Sequence, residues 1–262
     1  MNKLPARTGW LWLTAGFALF RKQPGMLIML LMANIGLSIL ISSVPGIGFM
    51  VAMMLVPSLS IALLQACRDI DEGRRVNLPV LATGFQAPAV GRLCKLGLVY
   101  VGVALVVLVL ASTMLSDSFL VQLNKPGDRG TLPQLDAGDA MTFMGIFFLQ
   151  SSALMLLCFA TPLTYWQKMT AGKASFYSVF AVLGAWRPFL VMLLASFGIY
   201  LVTSMAVLSV LGNGRAGKVV LFWILLLLAL VLQCAIFAAY RQIFGVPDDE
   251  PKDRHSRGGG NP

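Results

Sequence analysis

Charged residues are scarce in this chain of 262 residues: they make up 12% of it, while hydrophobic residues make up 58%. A soluble domain covers its core with a surface that is about a quarter to a third charged. The mean hydropathy of +0.80 also points away from a soluble protein. The composition therefore predicts an integral membrane protein.

Other scarce residues exclude further classes of protein. Four cysteines are too few for a scaffold held by disulfides, and the 25 glycines show no collagen-like period. There is no CxxC pair, and the single histidine, His255, lies near the end of the chain. We therefore expect no metal site and no cofactor, and we interpret the cysteines as free thiols packed like small apolar residues: Cys67, Cys94, Cys158 and Cys234.

Six stretches are long and apolar enough to cross a membrane, and none contains a charged residue or histidine. A spanning helix needs about 20 mostly apolar residues, and a charge at its centre would cost about 2.5 to 3.5 kcal/mol. The expected spans cover residues 26–44, 48–66, 96–115, 141–165, 189–211 and 219–240. The predicted fold is all-α, with one transmembrane domain at 1–245 and a disordered tail at 246–262.

The placement of lysine and arginine predicts the orientation. Sixteen of the 20 cations fall before the first span (1–25), in the loops at 67–95 and 166–188, and after the last span (241–262). The other four fall in the remaining loops. By the positive-inside rule, both termini lie in the cytoplasm of a bacterial cell, with the protein in the inner membrane. The side with the sixteen cations also carries seven carboxylates, so it holds the whole net charge of +9.

This basic side predicts contact with anionic lipid headgroups rather than with nucleic acid, because the inner leaflet carries a negative surface potential. Another membrane protein or a second copy of the chain is a further expected partner. The candidate headgroup contacts share a position close to the expected membrane edge: Arg7, Arg21, Lys22, Arg74, Arg75, Arg92, Lys95, Lys173 and Arg187.

Amphipathic segments precede the pairs of spans. Trp10, Leu13, Phe17 and Phe20 recur on one face of the lead, which is the pattern of an interfacial helix. A similar stripe before the fifth span is formed by Phe176, Val179, Phe180 and Leu183, and a weaker helix start lies at residues 77–79. The sequence thus predicts three hairpins, each preceded by an amphipathic helix, and leaves open whether they are a true internal repeat.

Several motifs in the first 60 residues resemble those of a known family. They are Gly9-Trp10-Leu11-Trp12, the run from Gly16 to Arg21 with Pro24, the turn Val44-Pro45-Gly46-Ile47-Gly48, and Leu55-Val56-Pro57. The chain resembles uncharacterised bacterial six-span inner-membrane proteins, broadly similar to the YciC-like group and to the membrane domain of some glycerophosphodiester phosphodiesterases. This resemblance implies a six-span fold and carries over no catalytic residue.

Two prolines and several polar side chains lie within the expected spans. Pro57 and Pro162 are each followed by small hydroxyl residues, which can partner the backbone groups that a proline releases. Broken helices also form substrate sites in transporters. A polar path would involve Asn34, Pro57, Ser58, Gln150 and Pro162; the simpler interpretation is kinks and hydrogen bonds between helices.

The charged run from Arg68 to Arg75 also has two interpretations. Its carboxylates could hold a cation, but the spacing favours ion pairs along one helix, with Arg68 reaching Asp71 or Glu72 and Asp71 reaching Arg74 or Arg75.

The chain has no motif typical of an enzyme and no ionisable group inside an expected span. The leading hypothesis is a non-enzymatic inner-membrane protein that interacts with lipid or a partner in envelope maintenance or assembly. The alternative is a facilitated transporter or channel for a small uncharged or amphipathic solute. A lipid-active enzyme would require a cluster of the outer-loop acids Asp117, Asp128, Asp136 and Asp139.

Overall fold

The computed structural model describes residues 4–114, 137–212 and 214–245, and these contain nine α-helices and one 3-10 helix. The helices are α1 (Thr8–Lys22), α2 (Pro24–Ser42), α3 (Gly48–Asp71), the 3-10 helix (Leu78–Phe85), α4 (Ala89–Met114), α5 (Ala137–Leu156), α6 (Ala160–Tyr165), α7 (Ala171–Gly184), α8 (Trp186–Leu211) and α9 (Arg215–Phe244). The expected tail and the acids Asp117, Asp128 and Asp136 lie outside the described residues, as does the side chain of Asp139.

All six expected spans are present as apolar helices, which confirms the all-α membrane class. Several helices run past the predicted limits, because polar residues at the end of a span continue the helix beyond the apolar stretch. The second span continues to Asp71 and the sixth runs from Arg215 to Phe244. The charged residues at these ends remain outside the apolar windows, as snorkelling side chains do.

The fourth span, expected over 141–165 with a kink at Pro162, is interrupted. The chain forms turns at residues 157–159, between α5 and α6. Pro162 lacks an N–H and its ring would clash with the carbonyl of Cys158, so the helix cannot continue regularly through this turn. Pro57, in contrast, lies inside the continuous helix α3.

Helix α9 lies between the two largest groups of buried side chains. One of its faces, with Leu230, Cys234 and Phe237, packs against residues of α2, α3 and α4. Its other face, with Val231 and Ala235 among others, packs against residues of α7 and α8. Helix α1 contributes to both groups. The two groups of buried side chains are therefore joined through α9 and α1.

Helix α1 packs through glycine rather than through its expected aromatic stripe. A Cβ atom placed on Gly16 would lie 2.6 Å from the backbone nitrogen of Ala235, so the backbones of α1 and α9 are nearly in contact. Trp12 and Leu13 are buried beside this contact, while Trp10 and Phe17 are about half exposed. The predicted interfacial stripe stays a prediction for these two aromatic residues, and hydropathy alone did not indicate the glycine contact, because it ranks glycine low although glycine permits the closest helix packing.

Helix α7 shows the same arrangement. Its small residues Ala174, Ser178 and Ala181 are buried, whereas Phe176 and Phe180 point outward and are exposed. The middle amphipathic segment forms a 3-10 helix, in which Gly84 packs on the backbone of Ser58. Consecutive long helices pack side by side as α2 with α3, α4 with α5 and α8 with α9. The expected threefold repeat stays a prediction.

The close approach of α1 and α9 makes a direct stability prediction. Gly16→Leu should force the two backbones apart and lower the stability by more than the 1 to 3 kcal/mol that is typical of overpacking, because the obstructing atoms belong to the backbone. The control is Gly36→Leu, since Gly36 is exposed on α2 and a Cβ there meets nothing within 4 Å. Thermal unfolding in detergent measures both variants, and equal midpoints would contradict the described packing.

Candidate functional site

One end of the bundle collects the segments that carry most of the cations. Gln23, between α1 and α2, accepts a hydrogen bond from the N–H of Val76 at 3.0 Å and donates to the carbonyl of Arg74 at 2.9 Å. Arg241 of α9 pairs with Asp71 of α3. Here we call this the basic end: the region where α3, α6 and α9 finish and α2, α4, α7 and α8 begin.

Further hydrogen bonds close the basic end between elements far apart in sequence. The indole N–H of Trp12 donates to Gln242 at 2.6 Å, and that of Trp166 donates to Gln65 at 3.1 Å. The sequence analysis predicted neither of these two hydrogen bonds. A signal was present in the sequence, because a buried indole N–H needs an acceptor and glutamines lie near the ends of the second and sixth spans.

Nearly all of the predicted headgroup cations are exposed at or near this end. Arg92 is half-buried, and among the described residues its guanidinium reaches only the carbonyl of Lys168, at 3.4 Å. The remaining eight are exposed: Arg7, Arg21, Lys22, Arg74, Arg75, Lys95, Lys173 and Arg187. Their contact with lipid stays a prediction.

Two of these cations lie over aromatic rings. The guanidinium of Arg21 lies 5.9 Å from the ring centre of Phe17, and that of Arg187 lies 5.5 Å from the ring of Trp186. Each pair stands immediately before or at the start of a spanning helix, α2 and α8 respectively. A cation over an aromatic face is stabilised by about 0.5 to 1 kcal/mol at exposed sites.

The carboxylates of the charged run form ion pairs, as the simpler interpretation expected, but with partly different partners. Arg68 pairs with Glu72 at 2.7 Å, as predicted. Arg74 pairs with Asp69 at 2.8 Å and also with Glu72. Asp71 pairs with Arg241 of α9, a partner that the sequence did not predict. The spacing along one helix could not show that α9 ends beside α3.

These pairs use every described carboxylate of the basic end, namely Asp69, Asp71 and Glu72. Eight predicted cations have no carboxylate within ion-pair distance in the part of the chain that the structure describes: Arg7, Arg21, Lys22, Arg75, Arg92, Lys95, Lys173 and Arg187. The basic end therefore carries an excess of positive charge that its own described residues leave uncompensated.

The residues of the proposed polar path do not share one location. Asn34 donates to the carbonyl of Leu59 at 2.8 Å, directly after Pro57 and Ser58. The hydroxyl of Ser58 is buried and has no hydrogen-bond partner among the described residues. Gln150 is half-buried on α5, and Pro162 is buried in α6. The amide of Asn34 thus joins α2 to α3, as the simpler interpretation expected.

The backbone groups released at the break before Pro162 have side-chain partners. The hydroxyl of Ser178 donates to the carbonyl of Leu156 at 2.7 Å and accepts from the N–H of Phe159 at 3.1 Å. The hydroxyl of Tyr100 donates to the carbonyl of Leu157 at 3.0 Å. Helices α4 and α7 therefore supply the partners of these backbone groups.

Two apolar clefts lie between α4 and α5. The larger has a volume of about 540 Å³ and is lined by residues that include Val99, Gly102, Leu110 and Leu149. The smaller, of about 360 Å³, shares Leu110 and Leu149 with it and continues to Met114. None of the five polar-path residues lines either cleft.

The described cysteines are free. Cys67 of α3 and Cys234 of α9 are buried with their sulfur atoms 2.8 Å apart. Within residues 4–114, 137–212 and 214–245, no group of three or more His, Cys, Asp or Glu side chains could hold a metal ion.

Ser178 provides a test of the break between α5 and α6. Ser178→Ala leaves a buried carbonyl and a buried N–H without their partner, which should cost about 1 to 3 kcal/mol of stability. The matched control is Ser209→Ala, because the hydroxyl of Ser209 is exposed and bonds only within its own helix. Thermal unfolding in detergent compares the two, and an unchanged midpoint for Ser178→Ala would show that this hydroxyl does not hold the break.

Comparison with known proteins gives a family. A protein of Burkholderia thailandensis that bears the name probable inner membrane protein is 30% identical over 270 residues, which covers 94% of this chain and 94% of that protein. No family model matches the chain, and no solved structure matches it. The likeness to the YciC-like group and to the phosphodiesterase membrane domain stays an interpretation. With its six apolar helices, the chain belongs to the family of this probable inner membrane protein.

Proposed function

We propose that this protein is a non-enzymatic component of the inner membrane whose basic end binds anionic phospholipid headgroups, in a role in envelope maintenance or assembly. The observation that carries the proposal is the set of eight cations without a carboxylate partner among the described residues, beside three carboxylates that are fully engaged. An excess of charge that the fold does not neutralise attracts ligands of opposite sign.

The proposed orientation places both termini and the basic end in the cytoplasm. Anionic lipids give the inner leaflet a negative surface potential, and each nearby basic residue contributes about 1 kcal/mol of attraction. The far end supports the same orientation, since its described residues carry only Arg215 and Lys218 as cations.

The cation and ring pairs at the starts of α2 and α8 support a position in the headgroup layer. Tryptophan is enriched at the membrane interface because its ring is amphipathic, and arginine reaches from a helix end to the phosphates. Arg187 over Trp186 combines both properties, and Arg21 over Phe17 places an arginine at the corresponding junction before α2.

The outward faces of α1 and α7 support the proposal as well. Trp10, Leu11 and Phe17 of α1 and Phe176 and Phe180 of α7 are exposed, although they are large and apolar. Amphipathic helices at a membrane surface bury such residues at the boundary between headgroups and acyl chains. Lipid would therefore cover the apolar faces that the bundle itself leaves open.

A charge-neutralised variant tests the lipid contact. Arg7→Gln, Arg21→Gln and Lys22→Gln together should weaken retention of phosphatidylglycerol by up to about 100-fold, since three residues contribute about 1 kcal/mol each. Native mass spectrometry of protein extracted in mild detergent counts the retained lipids. All three side chains are exposed and form no ion pair within the described ranges, so the fold should survive.

The matched control neutralises Arg215 and Lys218 at the far end, where both are exposed. This variant should retain phosphatidylglycerol as the unaltered protein does. Equal retention by the unaltered protein and the triple variant would rule out these residues as headgroup contacts. A partner protein that copurifies with the basic end, with no retained anionic lipid, would replace lipid as the ligand.

The orientation has its own test. A reporter fused after Ser116 should read as periplasmic and one fused after Arg75 as cytoplasmic, because the two positions lie on opposite sides of the third span. Paired phosphatase and fluorescent-protein fusions measure this in living cells. A C-terminal tag that is reachable from outside an intact cell would reverse the orientation.

A further inference from the structure

Helix α4 carries one continuous stripe that changes from basic to apolar. Arg92 and Lys95 begin it, and Val99, Gly102 and Val106 follow at intervals of three and four residues, with Leu110 one turn beyond. Residues at these intervals lie on the same face of a helix. The two cations therefore stand directly above the apolar part of the same face.

The apolar part of the stripe forms one wall of the larger cleft, and Leu149 and Ala153 of α5 form the other. Between Val99 and Leu110 the helix rises about 16 Å, at 1.5 Å per residue. One leaflet contributes about 15 Å to the hydrocarbon core of a bilayer. The cleft therefore matches the depth that a single acyl chain crosses.

The basic part of the stripe has no anionic partner among the residues that the structure describes. The Nε atom of Arg92 is buried and has no hydrogen-bond partner within the described ranges, and its terminal nitrogen meets only a carbonyl at 3.4 Å. Lys95 is exposed and forms no ion pair among the described residues. The three carboxylates of the basic end are held by arginines of α3, of the following loop and of α9.

We propose that this stripe is a binding site for one anionic phospholipid, with its phosphate on Arg92 and Lys95 and an acyl chain in the cleft between α4 and α5. The inference rests on the proposed function, because it requires that the basic end faces anionic lipid. It adds a defined place and a defined ligand. A guanidinium is suited to this role because its planar donors match phosphate oxygens.

Two variants separate the two halves of the site. Arg92→Gln with Lys95→Gln removes the positive charge, and Lys95→Gln alone changes only an exposed side chain, so it remains informative even where the double variant unfolds. Gly102→Leu fills the cleft, since a Cβ on Gly102 meets nothing within 4 Å. The controls are Arg215→Gln with Lys218→Gln for charge, and Gly36→Leu for an equally open glycine on α2.

The full chain is reconstituted with phosphatidylglycerol and phosphatidylcholine of identical acyl chains, extracted in mild detergent and measured by native mass spectrometry. The unaltered protein should keep one phosphatidylglycerol in preference to phosphatidylcholine. The double charge variant should reduce that preference at least tenfold, with a smaller loss for Lys95→Gln alone. Gly102→Leu should reduce retention of the tightly held lipid, and both controls should match the unaltered protein.

Other outcomes overturn the site in distinguishable ways. If only the variant of Arg7, Arg21 and Lys22 loses phosphatidylglycerol, the proposed function stands and the lipid binds elsewhere on the basic end. If the double charge variant loses phosphatidylglycerol but Gly102→Leu does not, the acyl chain does not occupy the cleft. A dimer that Gly102→Leu dissociates would make a second copy the occupant. Unchanged retention in every variant would reject both the site and the proposed function.

Discussion

The near contact of two backbones, α1 on α9 at Gly16, determines the layout of the basic end. Because glycine and Ala235 add almost no bulk, α1 lies directly on α9 and not on a layer of side chains. From this position α1 brings Trp12 to Gln242 and Gln23 to the loop after α3. The exposed cations of α1 then stand beside those of the neighbouring segments. Packing by the smallest residues thus determines where the charges of this surface lie.

Hydropathy was sufficient to find the six spans, because insertion into hydrocarbon depends on the sum of many side chains and tolerates errors at single positions. Hydropathy did not indicate the local structure where a single residue determines it. The outward position of Phe17 follows from Gly16 on the adjacent face, and the break before Pro162 follows from a missing N–H that Ser178 and Tyr100 compensate. Neither effect contributes to a hydropathy average.

The candidate site was partly predictable for a similar reason. Counting cations by loop indicates that they share one side, and the contacts among Gln23, Arg74, Asp71 and Arg241 bring those segments together. Which cations lack a partner could not be derived, because the pairing of Asp71 with Arg241 joins residues 170 positions apart. The alignment of Arg92 with the α4 cleft likewise depends on the place of α5.

The bond from Trp12 to Gln242 spans 230 positions of the chain. At about 5 to 20 residues per second, ribosomes need roughly ten to fifty seconds to synthesise the intervening sequence. During that interval the first helix has no α9 to lie on, while five spans are synthesised behind it. The glycine face of the segment made earliest can therefore form its contact with α9 only after the last span has been made.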